Sequence, residues 1–163
     1  MNTFKPFLFS LAAMVILSSH LYAIDHPGAV RSCVSPDRFT LVENGSPIPI
    51  LVSSSDDKAV LRAASDLQKD FMRVTGRTPY LGEIPESGRM IIIGSLGSPF
   101  IAGIIGRGLL DEAELKGRNE KYIIKTIENP LEGVDEALVI AGSDRRGTVY
   151  GVYEISEQIG VSP

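Results

Sequence analysis

Met90-Ile91-Ile92-Ile93-Gly94-Ser95 is a continuously apolar, β-branched run closed by a glycine. No polar residue interrupts Met90 to Ile93, so the run reads as a strand buried on both faces of a sheet. Upstream of it lies a helix signal. Val60, Ala64, Leu67, Phe71 and Val74 fall at i, i+4, i+7, i+11 and i+14, one apolar stripe. Arg62, Asp66, Lys69, Asp70 and Arg73 occupy its other faces. Ser54, Ser55 and Asp56 can cap the start of this helix, and Gly76 stands where a left-handed C-terminal cap is wanted.

Further out, Phe39-Thr40-Leu41-Val42 and Ile48-Pro49-Ile50-Leu51-Val52 flank Asn44-Gly45, a strong hairpin signal. Pro47 and Pro49 lack ladder donors, so part of the second strand belongs at an edge or end. Downstream, Phe100 to Ile105 reads as a short helix and Asp111 to Lys116 as a second short helical or polar segment. Tyr122 to Ile127 and Ala137 to Ile140 read as strands joined by a loop. The last helix runs from Arg145 to about Ile159, capped by Ser143 or Asp144 and stopped by Gly160. The expectation is an α+β fold: a mixed sheet of about five to seven strands with two main helices on one face. Two helices leave the second face solvated or covered from outside.

The chain has 163 residues, 44% of them hydrophobic and 22% charged, as in ordinary soluble domains. Its first residues differ in texture. Lys5 precedes an apolar run from Phe7 to Leu17, and Ala23 follows Leu21-Tyr22. A positive start, an apolar run of about a dozen residues and a small residue at its end describe a secretory signal peptide. A transmembrane helix needs ~20 apolar residues, and Ser18, Ser19 and His20 intervene too early. The expected organisation is a signal peptide over 1–23, a leader over 24–37 and an α/β domain over 38–163. The exported protein is thus expected in the periplasm or outside the cell, with no membrane attachment after cleavage. Removing residues 1–23 takes one lysine and no acid, moving the net charge from −4 to −5. An acidic chain of this kind has little to neutralise a run of phosphates, so no nucleic-acid partner is expected.

The inventory limits the chemistry. His20 and His26 are the two histidines and Cys33 the one cysteine, all near the N-terminus. Histidine-dependent triads, zinc clusters and an internal disulfide are therefore excluded, and no metal or other cofactor is expected. Carboxylates remain, and glycoside hydrolysis needs only two. The candidates are Asp56-Asp57, Asp111-Glu112-Glu114, Asp135-Glu136, Asp144 and Glu154-Glu157. Each has a plain structural reading as a helix cap or a solvated face. Gly94-Ser95-Leu96-Gly97 lacks the third glycine of a dinucleotide fingerprint and the Lys-Ser/Thr of a P-loop. Gly94 then reads as a turn where backbone approaches closely. Gly147 and Gly151, four apart in the last helix, suit close approach of that helix to the sheet. Arg145, Arg146 and Tyr150 lie on its first turns as candidates for contact with a substrate or a neighbouring domain.

The segment Ser143-Asp144-Arg145-Arg146-Gly147-Thr148-Val149-Tyr150-Gly151-Val152-Tyr153-Glu154-Ile155-Ser156-Glu157-Gln158-Ile159-Gly160 resembles the one preceding the catalytic barrel in glycoside hydrolase family 115, the xylan α-1,2-glucuronidases. Ala59 to Thr78 and Ile91-Ile92-Ile93-Gly94-Ser95 resemble the same family, and the likeness spans about residues 37–163. The helix with its two glycines also resembles, more distantly, the N-terminal domains of hexosaminidases and family 67 glucuronidases. The resemblance implies a hexosaminidase-like N-terminal domain of a large exported bacterial enzyme that removes glucuronic or 4-O-methylglucuronic acid from xylan with inversion. It implies that a (β/α)8 barrel follows, carrying the catalytic carboxylates. On that reading the chain stops before the barrel, so it has no catalytic residue of its own and is inactive alone. Its partners are then the barrel of the same polypeptide and, through the full enzyme, a polysaccharide. Where hexosaminidases have a sugar-touching arginine before the second glycine, this chain has Tyr150. The alternative is a free-standing exported carbohydrate-binding or interaction domain. The absence of tryptophan weighs against a sugar platform.

Overall fold

The computed structural model describes residues 38–85 and 88–161. The signal-peptide and leader assignments, with His20, His26 and Cys33, lie outside the described residues.

Strand β5 (Gly88–Ser95) holds the apolar run, and Met90, Ile91, Ile92 and Ile93 are all buried. Strand periodicity sends Ile91 and Ile93 to one side of the sheet and Met90 and Ile92 to the other. On one side of β5 lies β3 (Ile50–Val52), flanked in turn by the short edge strand β4 (Leu81–Gly82); both pairings are parallel. On its other side lies β7 (Val134–Gly142), again parallel, with β6 (Tyr122–Glu128) antiparallel beyond it. The sheet order is therefore β4-β3-β5-β7-β6. A separate two-stranded ribbon, β1 (Val42–Glu43) and β2 (Ser46–Pro47), turns at Asn44 and Gly45, whose φ angles are 50° and 76°. The fold is α+β, as expected.

Helices α1 (Lys58–Thr75) and α3 (Arg145–Gln158) pack side by side on one face. Val60, Ala63, Ala64, Leu67 and Phe71 of α1 meet Val152 and Ile155 of α3 over Ile50, Ile91, Ile93 and Ile140. Burying a side chain such as Phe71 or Leu67 stabilises by roughly 1.5–3 kcal/mol. Val74 ends the α1 stripe in solvent. Gly76, with φ of 73°, closes the helix by donating its N–H to the Met72 carbonyl at 2.9 Å.

Two expectations are corrected here. The second face of the sheet is not left for solvent or an outside body. Helix α2 (Pro99–Gly106), Leu110 and Leu115 cover it, with Ile101 and Ile104 packed over Leu51, Met90, Ile92 and Val139. The reason is hydropathy. Ile101, Ile104 and the partly buried Phe100 and Ile105 give eight residues of α2 enough apolar surface to shield the sheet. The second correction concerns the apolar segment after Asn44-Gly45, which does not form one hairpin strand. Ser46–Pro47 pairs with β1, and past Pro49 the chain joins the main sheet as β3, between two parallel neighbours. Pro47 does sit in an edge ribbon, as its missing donor requires.

Candidate functional site

Because β3, β5 and β7 run parallel, their carboxyl ends and the N-termini of α1, α2 and α3 gather along one edge of the sheet. Open α/β sheets hold their ligands at this edge, where helix N–H groups and strand ends converge. Here the chain's own carboxylates occupy the starts of α1 and α3 and the ends of β3 and β5, while Ser98 precedes α2 without a side-chain cap bond. Asp57 caps α1, its Oδ1 accepting from the Ala59 N–H at 2.8 Å. Asp56 reaches across to the end of β5 and accepts from the Ser95 N–H at 2.8 Å and the Ser95 hydroxyl at 2.6 Å. Asp144 caps α3 through the Gly147 N–H at 2.8 Å, and its second oxygen takes the Glu120 N–H at 2.9 Å. Glu83 accepts from the Ser54 N–H and from the Ser53 hydroxyl.

These contacts set the electrostatics. The N–H groups of Glu120 and Gly147 hold the Asp144 carboxyl below its usual range. Backbone donation from Ser54 does the same for Glu83. Such shifts mark carboxylates that stay ionised as structural anions, unlike a general acid, whose pKa must be raised.

The residues singled out from the sequence lie together on α3 but face different ways. Arg146 is held by Glu120, Nη1 to Oε1 at 2.8 Å, and donates from Nη2 to the Tyr150 hydroxyl at 3.1 Å. Arg145 turns toward α1, with Nη1 3.8 Å from Asp57 Oδ2. Tyr150 is 42% exposed. One turn on, Tyr153 is also exposed and donates to Asp66 Oδ2 at 3.3 Å. The stripe Arg146, Tyr150, Tyr153 thus presents two rings whose hydroxyls are both tied to neighbouring charged side chains. Glu120 completes the cluster from a left-handed backbone, with φ of 57°. Sequence reasoning missed it because its partners Asp144 and Arg146 lie more than twenty residues away.

The three glycines differ in what they allow. A Cβ on Gly147 would stand 2.2 Å from the Lys121 carbonyl oxygen, so the first turn of α3 rests on the backbone entering β6. A Cβ on Gly94 would meet the Ser98 hydroxyl at 2.2 Å and Ile101 at 2.8 Å. Gly151 is looser, facing the Ile140 Cγ2 at 2.9 Å and the Tyr122 ring at 3.1 Å. Gly151→Ala is accordingly expected to change stability by less than about 1 kcal/mol, the helix propensity gain offsetting the tight contact. Urea denaturation measures it. Gly142, not singled out from sequence, is as tight as Gly147, with a Cβ 2.1 Å from the Thr148 nitrogen.

Of the remaining candidate carboxylates, Asp111, Glu112, Glu136 and Glu154 are employed structurally. Asp111 caps the 3₁₀ turn Glu112–Glu114, Glu112 pairs with Lys116, and Glu136 pairs with Arg89. Glu154 accepts from the Gln158 amide. Among the described residues, no helix is long and apolar enough to cross a membrane.

No family model matches the chain, and no curated protein matches it. Among solved structures it is similar to a family GH115 4-O-methyl-α-glucuronidase with specificity for decorated arabinogalactans. The two are 30% identical with a TM-score of 0.57, over 71% of this chain and 14% of that one. The chain thus spans about a seventh of that enzyme's length, and the likeness is to a domain of it.

Proposed function

We propose that the chain is a non-catalytic accessory domain of an exported glycoside hydrolase. The enzyme would resemble the α-glucuronidases that remove glucuronic or 4-O-methylglucuronic acid from plant polysaccharides. The observation that carries this reading is the 30% identity over 71% of the chain to a small part of one such enzyme. The state of the carboxylates supports it. Asp56, Asp57, Asp144 and Glu83 all accept from backbone donors along the sheet edge, and for Asp144 and Glu83 those bonds hold the carboxyl below its usual range. In this role the domain buttresses a catalytic barrel, and the α3 stripe Arg146, Tyr150, Tyr153 is the surface that meets it. Tyrosine and arginine dominate the energetics of protein interfaces, and rings already pinned by their hydroxyls lose little freedom on docking.

Residues 38–163 alone are expected to release no glucuronic acid from glucuronoxylan, and release would overturn the proposal. A second experiment separates buttress from sugar site. In a barrel-containing relative, the residues equivalent to Arg146 and Tyr150 are changed to alanine and phenylalanine. Lowered thermal stability with an unchanged KM is the expected result. A raised KM with unchanged stability would place these residues in the sugar site. Retention of the isolated domain on immobilised glucuronoxylan would favour the alternative, a free-standing carbohydrate-binding domain.

A further inference from the structure

The Asn44-Gly45 turn has a chemistry that neither the fold nor the proposed role uses. Both residues are exposed, both have left-handed φ, and the ribbon they close has two paired positions, Val42 with Pro47 and Glu43 with Ser46. One further hydrogen bond, Ile48 N–H to the Leu41 carbonyl at 3.0 Å, continues the pairing. A two-stranded ribbon this short is marginal by itself and opens at low cost. Its base is anchored by the buried Pro47 and Ile48, with Leu41 packed on the core, while its turn end is tied to the rest of the domain by two arginines. Arg89 bridges Glu43 at 2.7 Å and Glu136 at 2.8 Å, and Arg77 donates to the Ser46 hydroxyl at 2.6 Å.

We infer that Asn44 is a site of spontaneous deamidation, gated by opening of this ribbon. In the opened turn the Gly45 amide nitrogen, its proton lost to solvent base, attacks the Asn44 side-chain carbonyl carbon. The bond to the side-chain nitrogen breaks, and that nitrogen leaves as ammonia after taking up a proton. Water then opens the five-membered imide at either carbonyl, giving aspartate or isoaspartate. No oxidant or cofactor enters. Glycine suits the attacking position because it has no Cβ to obstruct ring closure. The chain supplies its own controls. Asn129 precedes Pro130, which has no N–H to attack with, and Asn119 precedes Glu120, whose side chain hinders closure. The product places a carboxylate beside Glu43, and the isoaspartate form also lengthens the main chain inside a two-residue turn. The added charge faces the Arg89 guanidinium, so it is the lengthened main chain of the isoaspartate form that disturbs the ribbon.

The test is incubation of the purified native protein at mildly alkaline pH, followed by peptide mass mapping with isoaspartate detection. Conversion at Asn44 is expected severalfold ahead of Asn119, with Asn129 unchanged. Arg89→Ala, which frees Glu43, is expected to speed conversion in the native protein. Gly45→Ala is expected to slow it severalfold when both proteins are compared in urea, where folding plays no part. Equal conversion at Asn44 and Asn119, or none at Asn44, overturns the site. A rate insensitive to Arg89→Ala overturns the gating.

Discussion

Gly147→Ala is expected to destabilise the domain by about 1–3 kcal/mol, although alanine is the better helix former. The requirement at this position is space. The residue is buried in the first turn of α3, and its missing Cβ is what lets the helix backbone rest against the Lys121 carbonyl. A methyl group 2.2 Å from a carbonyl oxygen has no flexible side chain to push aside. The helix must lift from the start of β6, and the lift strains the Ser143 N–H bond to the same Lys121 carbonyl, now 2.8 Å. The gain of ~1 kcal/mol from replacing glycine is smaller than this cost. The denaturation midpoint of Gly147→Ala should fall well below that of Gly151→Ala. Equal midpoints would mean that α3 can slide without loss, contrary to backbone-on-backbone packing.

Asp144→Ala should cost about 1–2 kcal/mol, the upper range for a lost N-cap, because one side chain serves two backbone donors. Removing it orphans the Gly147 N–H in α3 and the Glu120 N–H in a left-handed residue. Asp144→Asn keeps one acceptor, enough for the Gly147 cap, but turns an NH2 donor toward the Glu120 N–H and removes the charge. The sign of the pH effect follows from the depressed folded-state pKa. Asp144 contributes stability above its unfolded pKa, near the ordinary carboxylate value, and loses it as pH falls through the lower folded value. Acid titration of stability should thus be shallower in Asp144→Asn than in the parent, and at neutral pH Asp144→Asn should lie between the parent and Asp144→Ala. Identical acid profiles would show that the carboxylate's charge contributes nothing to the folded state.

What could be read from the residues alone followed the range of the interaction. Periodicity within one segment was enough for α1, from Val60 to Phe71, and for the doubly buried Met90 to Ile93. Capping chemistry spans three residues, so Ser143 or Asp144 and Gly160 bounded α3, with Asp144 the cap, whereas α1 is capped by Asp57 and not by Ser54, Ser55 or Asp56. Ile50 to Val52 escaped because an apolar run after a turn looks the same whether it pairs back or departs to another sheet; here Pro49 marks the departure. The cover on the second face escaped for a related reason. Helix α2 is short and apolar nearly all round, so no stripe announced which side it would shield. At the candidate site, Arg146 and Tyr150 were recognisable as neighbours because i and i+4 share a helix face. Glu120, Gly142 and the bond from Ser95 to Asp56 depend on chain crossings that no local pattern encodes.

The two ends of the sheet are fastened differently, and the domain is consequently stiff at one end and soft at the other. At the carboxyl edge Asp56, Glu83 and Asp144 bind main-chain N–H groups of other segments, so neighbouring segments are tied through parts of the chain that cannot swing away. At the amino end the base of the ribbon is buried at Pro47 and Ile48, but its turn is held by Arg89 and Arg77, long side chains with many rotamers. A pull or a rise in temperature will therefore peel the domain from the ribbon's turn first, while the strand ends and the starts of α1 and α3 hold. For a part that braces a larger neighbour, this makes the helix-start end the natural abutment and leaves the ribbon as the end that yields.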